Sequence, residues 1–394
     1  MRVALAYSGG LDTSWCVAHL ARERGAEVVT VTVDTGGRSR EELDTIAARA
    51  RALGAVRHVE VDARRAAWDS FVSLLVQGNV LRGEVYPLSV AAERTQQAIE
   101  VARVAREVGA DAVAHGCTGA GNDQVRFDVA FRVLLDLPIL APVREAGLTR
   151  ERALADLRRA GFEPPAGSDR YSVNRGLWGT TVGGDWTHDP WCPPPADAWG
   201  DGATGPAPGP AELVLSWKEG LPVALDGAPL EGPDLVEELD QWLGPYRVGR
   251  GIHVGETVLG IRGRIGFAAP AALVLVHAHR ELEKLVLSPW QAFWKDHLAR
   301  FWGQRLHEGQ AFDPVMEDIA ALVRSSQRDV EGETRVRVAE ERFQVVGARS
   351  PRSLLDPSVA VYGETHALWT GEEAEAFAKL AAVPALLAAR RGRG

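Results

Sequence analysis

The chain has 394 residues, more than one compact core usually organises, so two domains are expected. Apolar residues make up 46% and charged residues 25%, which excludes a disordered chain. A net charge of −9, with no basic block but Arg390-Arg391-Gly392-Arg393, sets a nucleic-acid partner aside, and no run of about 18 apolar residues offers a membrane span.

Residues 2–7 read as a buried strand that opens the chain without the parts of a signal peptide. Residues 13–24 form a helix stopped by Gly25, and 27–33 a second strand ended by Asp34-Thr35-Gly36-Gly37. Residues 41–53 are helical, 57–61 a third strand, 66–76 and 91–108 helical, 112–115 a fourth strand, and 129–134 part of another helix. Strands alternating with helices predict a doubly wound parallel sheet, which gathers its ligands beyond the carboxyl ends of its strands. The loops after Ala6, Val33 and His115 all fall there.

The pattern changes near residue 165, and 190–210 read as a Pro- and Gly-rich surface excursion. Strands are then expected at 213–217, 223–225, 257–262 and 272–277, helices at 235–243, 289–305 and 314–324, and a hairpin from 335–339 and 342–346. The fold class is therefore α/β: a doubly wound nucleotide-binding domain (1–165), an α+β domain (166–364) and a helical tail (365–394) suited to clasping a partner subunit. Cys16, Cys117 and Cys192 are odd in number and far apart, which fits neither a disulfide framework nor a metal knuckle; a reducing cytoplasm is expected, and no metal site.

Ala6-Tyr7-Ser8-Gly9-Gly10-Leu11-Asp12-Thr13-Ser14 joins the first strand to the first helix. Glycines admit a phosphate close to backbone N–H groups, the helix N-terminus adds positive charge, and hydroxyls add donors. Asp12 suits orienting the loop or placing a magnesium ion. A plain capped turn explains three hydroxyls around an acid poorly. The stretch is neither a Walker loop nor a Gly-x-Gly-x-x-Gly dinucleotide loop. Ser-Gly-Gly-x-Asp-Ser/Thr resembles the ATP pyrophosphatase family, whose members cleave ATP between the α and β phosphates; the loop then binds the departing pyrophosphate.

His115-Gly116-Cys117-Thr118-Gly119-Ala120-Gly121-Asn122-Asp123-Gln124-Val125-Arg126-Phe127 follows the fourth strand. A solvated turn would account for its Gly, Asn and Asp, but not for so many polar groups entering a helix. Together with Tyr86-Pro87-Leu88, Ala141-Pro142-Val143-Arg144, Tyr171-Ser172, Leu177-Trp178-Gly179, Asp189-Pro190-Trp191, Val248-Gly249-Arg250, Ala278-His279 and Ser326-Gln327-Arg328, it resembles the argininosuccinate synthases over most of the chain. The resemblance implies a homotetrameric AMP-forming carbon–nitrogen ligase of amino-acid biosynthesis, with a synthetase domain after the nucleotide-binding one, joining citrulline to L-aspartate with ATP and Mg2+. It implies ATP on Ala6, Tyr7, Ser8, Gly9, Gly10, Leu11, Asp12, Thr13, Ser14, Val33 and Gly116, with Asp12 and Asp123 as candidate catalytic residues. Aspartate falls to Thr118, Asn122 and Asp123, and the acceptor to Tyr86, Asn122, Arg126, Ser172 and Thr181, the last where the family usually has serine.

The departures gather on the acceptor. The family's Thr-Ser pair after the Tyr86 position is Val90-Ala91, its glutamate aligns with Gly255 beside Glu256, its tyrosine is Phe267, and its loop lysine is Ala120. A pocket stripped of hydroxyls and of a carboxylate disfavours a zwitterion, so the expected acceptor is a less polar ureido, carbamoyl or amide compound, of the kind found in specialised metabolism, rather than citrulline. An ordinary citrulline-using argininosuccinate synthase is the alternative, with Glu256 replacing Gly255 by a one-residue shift. A non-catalytic nucleotide-binding subunit and a tRNA-modifying enzyme are the alternatives of other classes. Trp178, Trp186 and Trp191 serve a pocket or packing; His115 reads equally as structural or catalytic; His277 and His279 alternate on a strand and so share a face, which suits a metal but lacks a third ligand and favours a structural role; Cys117 has no evident base.

Overall fold

The computed structural model describes residues 1–163, 171–199 and 206–391, so the expected boundary at 165/166, part of the 190–210 excursion and the last three residues lie outside the description. The N-terminal part runs β1 (Arg2–Ala6), α1 (Leu11–Ala18), β2 (Glu27–Asp34), α2 (Arg40–Ala52), β3 (Arg57–Asp62), α3 (Arg64–Ala67), α4 (Ser73–Gln77), α5 (Ala91–Glu107), β4 (Ala112–Ala114), α6 (Asp123–Leu134), β5 (Ile139–Leu140), α7 (Pro142–Glu145) and α8 (Arg150–Arg159). A π-helical turn extends α1 to Glu23, and Gly25 ends it at φ +61°. α2 opens on a capping box: Ser39 Oγ accepts from Glu42 N–H, and the Glu42 carboxylate accepts from Ser39 N–H.

The five strands stand in the order β3-β2-β1-β4-β5, every pair parallel. Val3, Leu5, Val28, Val31 and Val113 are buried, as expected where helices cover both faces of a sheet. The chain steps outward from β1 to β3 and then returns to β1's other side as β4. That reversal opens a crevice at the carboxyl ends of β1 and β4, where the two glycine-rich loops emerge.

The following elements are β6 (Tyr171–Gly176), β7 (Gly179–Gly184), β8 (Ala211–Lys218), β9 (Leu221–Leu225), β10 (Ala228–Pro229), α9 (Pro233–Leu243), β11 (Arg250–Glu256), β12 (Arg262–Ala268), α10 (Pro270–Val286), α11 (Pro289–His307), α12 (Val315–Ser326), β13 (Gly332–Ala339) and β14 (Arg342–Arg349). They build two antiparallel sheets, β11-β12-β7-β6 and β10-β9-β8-β13-β14. Leu235 and Leu239 of α9, Leu275 and Leu282 of α10, Leu213 and Leu215 of β8, and Val336 and Val338 of β13 share one core. Each such side chain contributes about 1.5–3 kcal/mol on burial.

Two expected strands are overturned. Residues 272–277 lie inside α10, whose Pro270 stands in its first turn; an apolar run alone does not separate a buried helix from a buried strand. Residues 257–261 turn between β11 and β12, with Thr257 N–H donating to the Ile261 carbonyl. His277 and His279 therefore share no face, since two helical steps are about 200° apart. His279 is buried with Nδ1 2.7 Å from Asn79 Oδ1 and Nε2 2.8 Å from Gln327 Oε1; His277 packs edge-on to Phe343. Beside His279, buried Lys295 pairs with Glu283 at 2.6 Å.

By packing the chain divides into Met1–Arg352 and a second unit from Ser353. The second unit holds the short pair β15 (Ala360–Val361) and β16 (Thr365–His366), then α13 (Gly371–Ala381) and α14 (Val383–Arg391). The tail is thus two helices rather than one; Thr370 and Glu373 form a capping box at the first, and Phe377, Leu380, Leu386 and Leu387 are exposed.

Candidate active site

A cleft of about 680 Å³ opens at the β1/β4 switch point and runs to the β11-β12-β7-β6 sheet. Its floor is the loop after β1. Gly9 adopts φ +76°, and a Cβ there would lie 2.7 Å from Ile46 Cγ1, so the tight turn needs glycine. Arg49 Nη1 donates to the Gly9 carbonyl at 2.7 Å, and Ser8 Oγ lies 3.2 Å from Thr13 Oγ1. Gly10 caps α1 without a side-chain acceptor, which leaves the first helical N–H groups free for an anion. Leu11, Asp12 and Thr13 line the cleft with Ala6, Tyr7, Ser8 and Gly10; Ser14 is buried, its Oγ 3.4 Å from the Tyr7 hydroxyl. Burial raises the Asp12 pKa against the pull of Arg150.

Val33 at the end of β2 and Gly116 after β4 complete this end of the cleft. A Cβ on Gly116 would lie 2.9 Å from Thr13 Cγ2, so glycine lets the two loops meet. His115 is buried with both ring nitrogens engaged: Nδ1 accepts from Cys117 N–H at 3.2 Å, and Nε2 lies 2.8 Å from Asp128 Oδ1. Both nitrogens are thus occupied within the protein, although His115 borders the cleft. Burial raises the Cys117 pKa, and no nucleophile results. Among the described residues no His, Cys, Asp and Glu cluster forms a metal site.

Thr118, Asn122 and Asp123 stand together on the cleft wall at the start of α6. Asn122 Oδ1 accepts from Val258 N–H at 2.8 Å, which ties this wall to the β11–β12 turn. Asp123 accepts from Arg94 Nε at 3.0 Å and Arg126 Nη1 at 2.7 Å. Burial acts to raise its pKa, but the two guanidiniums outweigh that and hold it below the usual carboxylate range.

The acceptor candidates Tyr86, Arg126, Ser172 and Thr181 also line this cleft. The Tyr86 hydroxyl donates to the Ser89 carbonyl, and its ring stacks on His253 at 5.3 Å and leans on Phe267 at 5.3 Å. Arg126 is nearly spent within the protein: Nε and Nη2 donate to the His307 carbonyl at 3.1 and 2.8 Å, and Nη2 lies 3.1 Å from His307 Nδ1. Burial, with Arg126 and Arg82 nearby, pushes the His307 pKa down to about 2, so the ring is neutral. Val90 is held at φ +76°, a region that costs a β-branched residue about 1–3 kcal/mol.

Gly255 and Glu256 both border the cleft, but from opposite faces of β11. Exposure alternates along β11, with residues 251, 253 and 255 part-buried and Ile252, Val254 and Glu256 exposed on the opposite face. A Cβ on Gly255 would lie 2.5 Å from His253 Nε2, so the imidazole fills the space of a side chain at 255. Trp178, Trp186 and Trp191 stay off the cleft: Trp178 Nε1 donates to the Pro87 carbonyl, Trp186 lies under Arg264, and Trp191 is 92% exposed. Sequence reasoning missed Arg38, Arg82, Arg94, Asn174, His253 and His307, all on the cleft. Arg94 had a signal, standing one helical turn beyond the Val90-Ala91 pair that departs from the family pattern.

The sequence matches the model of the arginosuccinate synthase N-terminal HUP domain over residues 2–163 and that of the arginosuccinate synthase C-terminal domain over residues 171–388. It is 41% identical to an argininosuccinate synthase of Xylella fastidiosa, with 99% of this chain and 98% of that protein aligned. An argininosuccinate synthase of Hyperthermus butylicus is 38% identical over the same shares, and one of Saccharolobus solfataricus 35% identical over the whole of both chains. With both family models matched in order and relatives aligned end to end, the chain belongs to the argininosuccinate synthase family of ATP-dependent ligases.

Proposed function

We propose that this protein joins L-aspartate to an ATP-activated carbonyl and releases AMP and pyrophosphate. The observation that carries this reading is the meeting of the Ser8–Thr13 loop with the Thr118, Asn122 and Asp123 wall in one cleft, in a chain of this family. The carbonyl oxygen forms a bond to the α-phosphorus while the α–β bridging bond breaks, and pyrophosphate leaves with the electron pair. The aspartate nitrogen, having given up one proton, adds to the activated carbon; the C–O bond breaks, AMP takes the pair, and the second proton leaves the product. The residues' task is alignment and charge stabilisation.

The free N–H groups of α1 and the hydroxyls of Ser8 and Thr13 suit the leaving pyrophosphate, with Ser14 buried behind them against Tyr7 and with Ala6, Tyr7, Leu11, Val33 and Gly116 enclosing the nucleotide. Asp12 is the carboxylate of this loop that would help hold a Mg2+ brought with ATP, and the ion would neutralise phosphate charge. Asp123, fixed between two arginines, positions aspartate with Thr118 and Asn122. A cytoplasmic homotetramer divided at 165/166 and 364/365, free of nucleic acid and membrane, belongs to the same proposal; no helix among the described residues is long and apolar enough to cross a membrane.

For the acceptor, the relatives' shared name favours citrulline over the different acceptor expected from the sequence. One observation favours the second reading: His253 and Phe267 stand where the expected carboxylate and hydroxyl are missing. The test is AMP release with ATP, Mg2+ and aspartate, first with citrulline, then with ureido, carbamoyl and amide compounds. Turnover of about 1 per second or more with citrulline supports the first acceptor and refutes the second. Flat pyrophosphate exchange and no AMP with any acceptor would sink the ligase reading.

A further inference from the structure

The acceptor end of the cleft carries a guanidinium without an anion among the described residues. Arg82 and Tyr86 face each other in an isolated antiparallel bridge, Arg82 N–H donating to the Tyr86 carbonyl at 2.7 Å and Tyr86 N–H to the Arg82 carbonyl at 3.0 Å. Directly opposed residues point to one side, so the Arg82 side chain stands beside the Tyr86 ring. Its Nη2 donates to the Glu256 carbonyl at 2.6 Å, while Nη1 is buried with no partner. Among the described residues no carboxylate lies within ion-pair distance of Arg82; the nearby Glu308 is committed to Arg305 at 2.8 Å. His253, stacked on Tyr86, also has a buried Nε2 without a partner.

The neighbouring charges are already used. Arg126 spends its donors on His307 and Asp123, and Asp123 is shared with Arg94. The imidazole of His253 fills the place of a side chain at 255, and Glu256 belongs to the other strand face. The unsatisfied groups at this end are therefore a guanidinium nitrogen and an imidazole nitrogen, and among the described residues the carboxylate bordering them, Glu256, stands on the strand face opposite His253. Arg82 as a whole is only part-buried and lines the cleft, within reach of a bound molecule.

We propose that Arg82, backed by His253, is an anion subsite of the acceptor pocket, and that the preferred acceptor is a monoanionic ureido or carbamoyl acid lacking an α-ammonium group. This rests on the ligase reading above and selects among its acceptors. The probes are citrulline, 5-ureidopentanoate (the same skeleton without the amine) and neutral butylurea, each with ATP, Mg2+ and aspartate, read as AMP release. Loss of one charge-assisted contact is about a tenfold effect or more, so kcat/KM for 5-ureidopentanoate should exceed that for citrulline and butylurea by about that factor. Arg82→Gln should collapse the ureidopentanoate-to-butylurea ratio by about tenfold or more, chiefly through KM, and Arg82→Lys should restore part of it. Citrulline as the best acceptor, or an equal fall for all acceptors in Arg82→Gln, overturns the proposal while leaving the ligase reading intact. No AMP from any of the three fells both, and unchanged thermal unfolding of Arg82→Gln separates a lost subsite from a lost fold.

Discussion

Replacing Arg94 with Gln removes the guanidinium that donates to Asp123 at 3.0 Å, to Gln97 at 2.8 Å and to Asn174. The Arg94 side chain is 13% exposed and that of Asp123 32%, so water screens the pair only in part. Removing one partner of a fully buried pair costs about 3–5 kcal/mol, and partial exposure lowers that. Asp123 also keeps Arg126 at 2.7 Å, so the expected loss is about 2 kcal/mol at pH 7, read by urea unfolding. The pH dependence has a definite sign. Burial pushes the Asp123 pKa up, the two arginines overcome it, and the folded value ends below the ordinary 3.8. The stability contributed by that depression is complete above the unfolded value and disappears as pH falls through the folded one. The cost of Arg94→Gln should therefore shrink below about pH 4. With aspartate varied in the AMP assay, KM should rise about tenfold, because the carboxylate that positions it is no longer clamped. A loss under about 0.5 kcal/mol at pH 7, or one that does not shrink in acid, would refute this account of the site.

Gly9→Ala should cost about 2 kcal/mol, from the left-handed backbone and the close approach to Ile46, and should weaken ATP binding; thermal unfolding with and without ATP measures both. Lys295→Met should cost about 3–5 kcal/mol by leaving Glu283 buried and uncompensated, whereas Lys295→Met combined with Glu283→Leu should recover much of the loss in urea unfolding. His279 and His307 are pushed down to about 3 and about 2, chiefly by burial. The unfolded chain then binds protons that the folded one refuses, so stability should fall as pH drops from about 6.5 towards about 3. His279→Asn should flatten that slope, and an unchanged slope would place the proton uptake elsewhere.

The proposed nucleotide end of this protein is legible in sequence because its determinants are local. A strand, two glycines, an acid and hydroxyls follow one another from Ala6 to Ser14, and the same backbone that holds them forms the proposed anion site. The parallel sheet was equally readable from its alternating strands and helices. Where signals were ambiguous, packing decided: residues 272–277 are apolar enough for either element, and the surrounding core makes them part of α10. The Thr118 to Arg126 constellation could be located in sequence, but not the clamps of Arg94 and His307, which come from residues far along the chain.

The acceptor wall depended most on tertiary structure. Sequence alone established that Val90, Ala91, Gly255 and Phe267 lack polar groups. Only the fold decided that His253 occupies the space over Gly255, that Glu256 stands on the opposite strand face, and that Arg82 stands beside Tyr86 without a counter-ion among the described residues. The reason is physical: a phosphate loop is specified by neighbouring backbone dihedrals, whereas a side-chain pocket is specified by strand pleat and by which remote side chain fills each vacated volume.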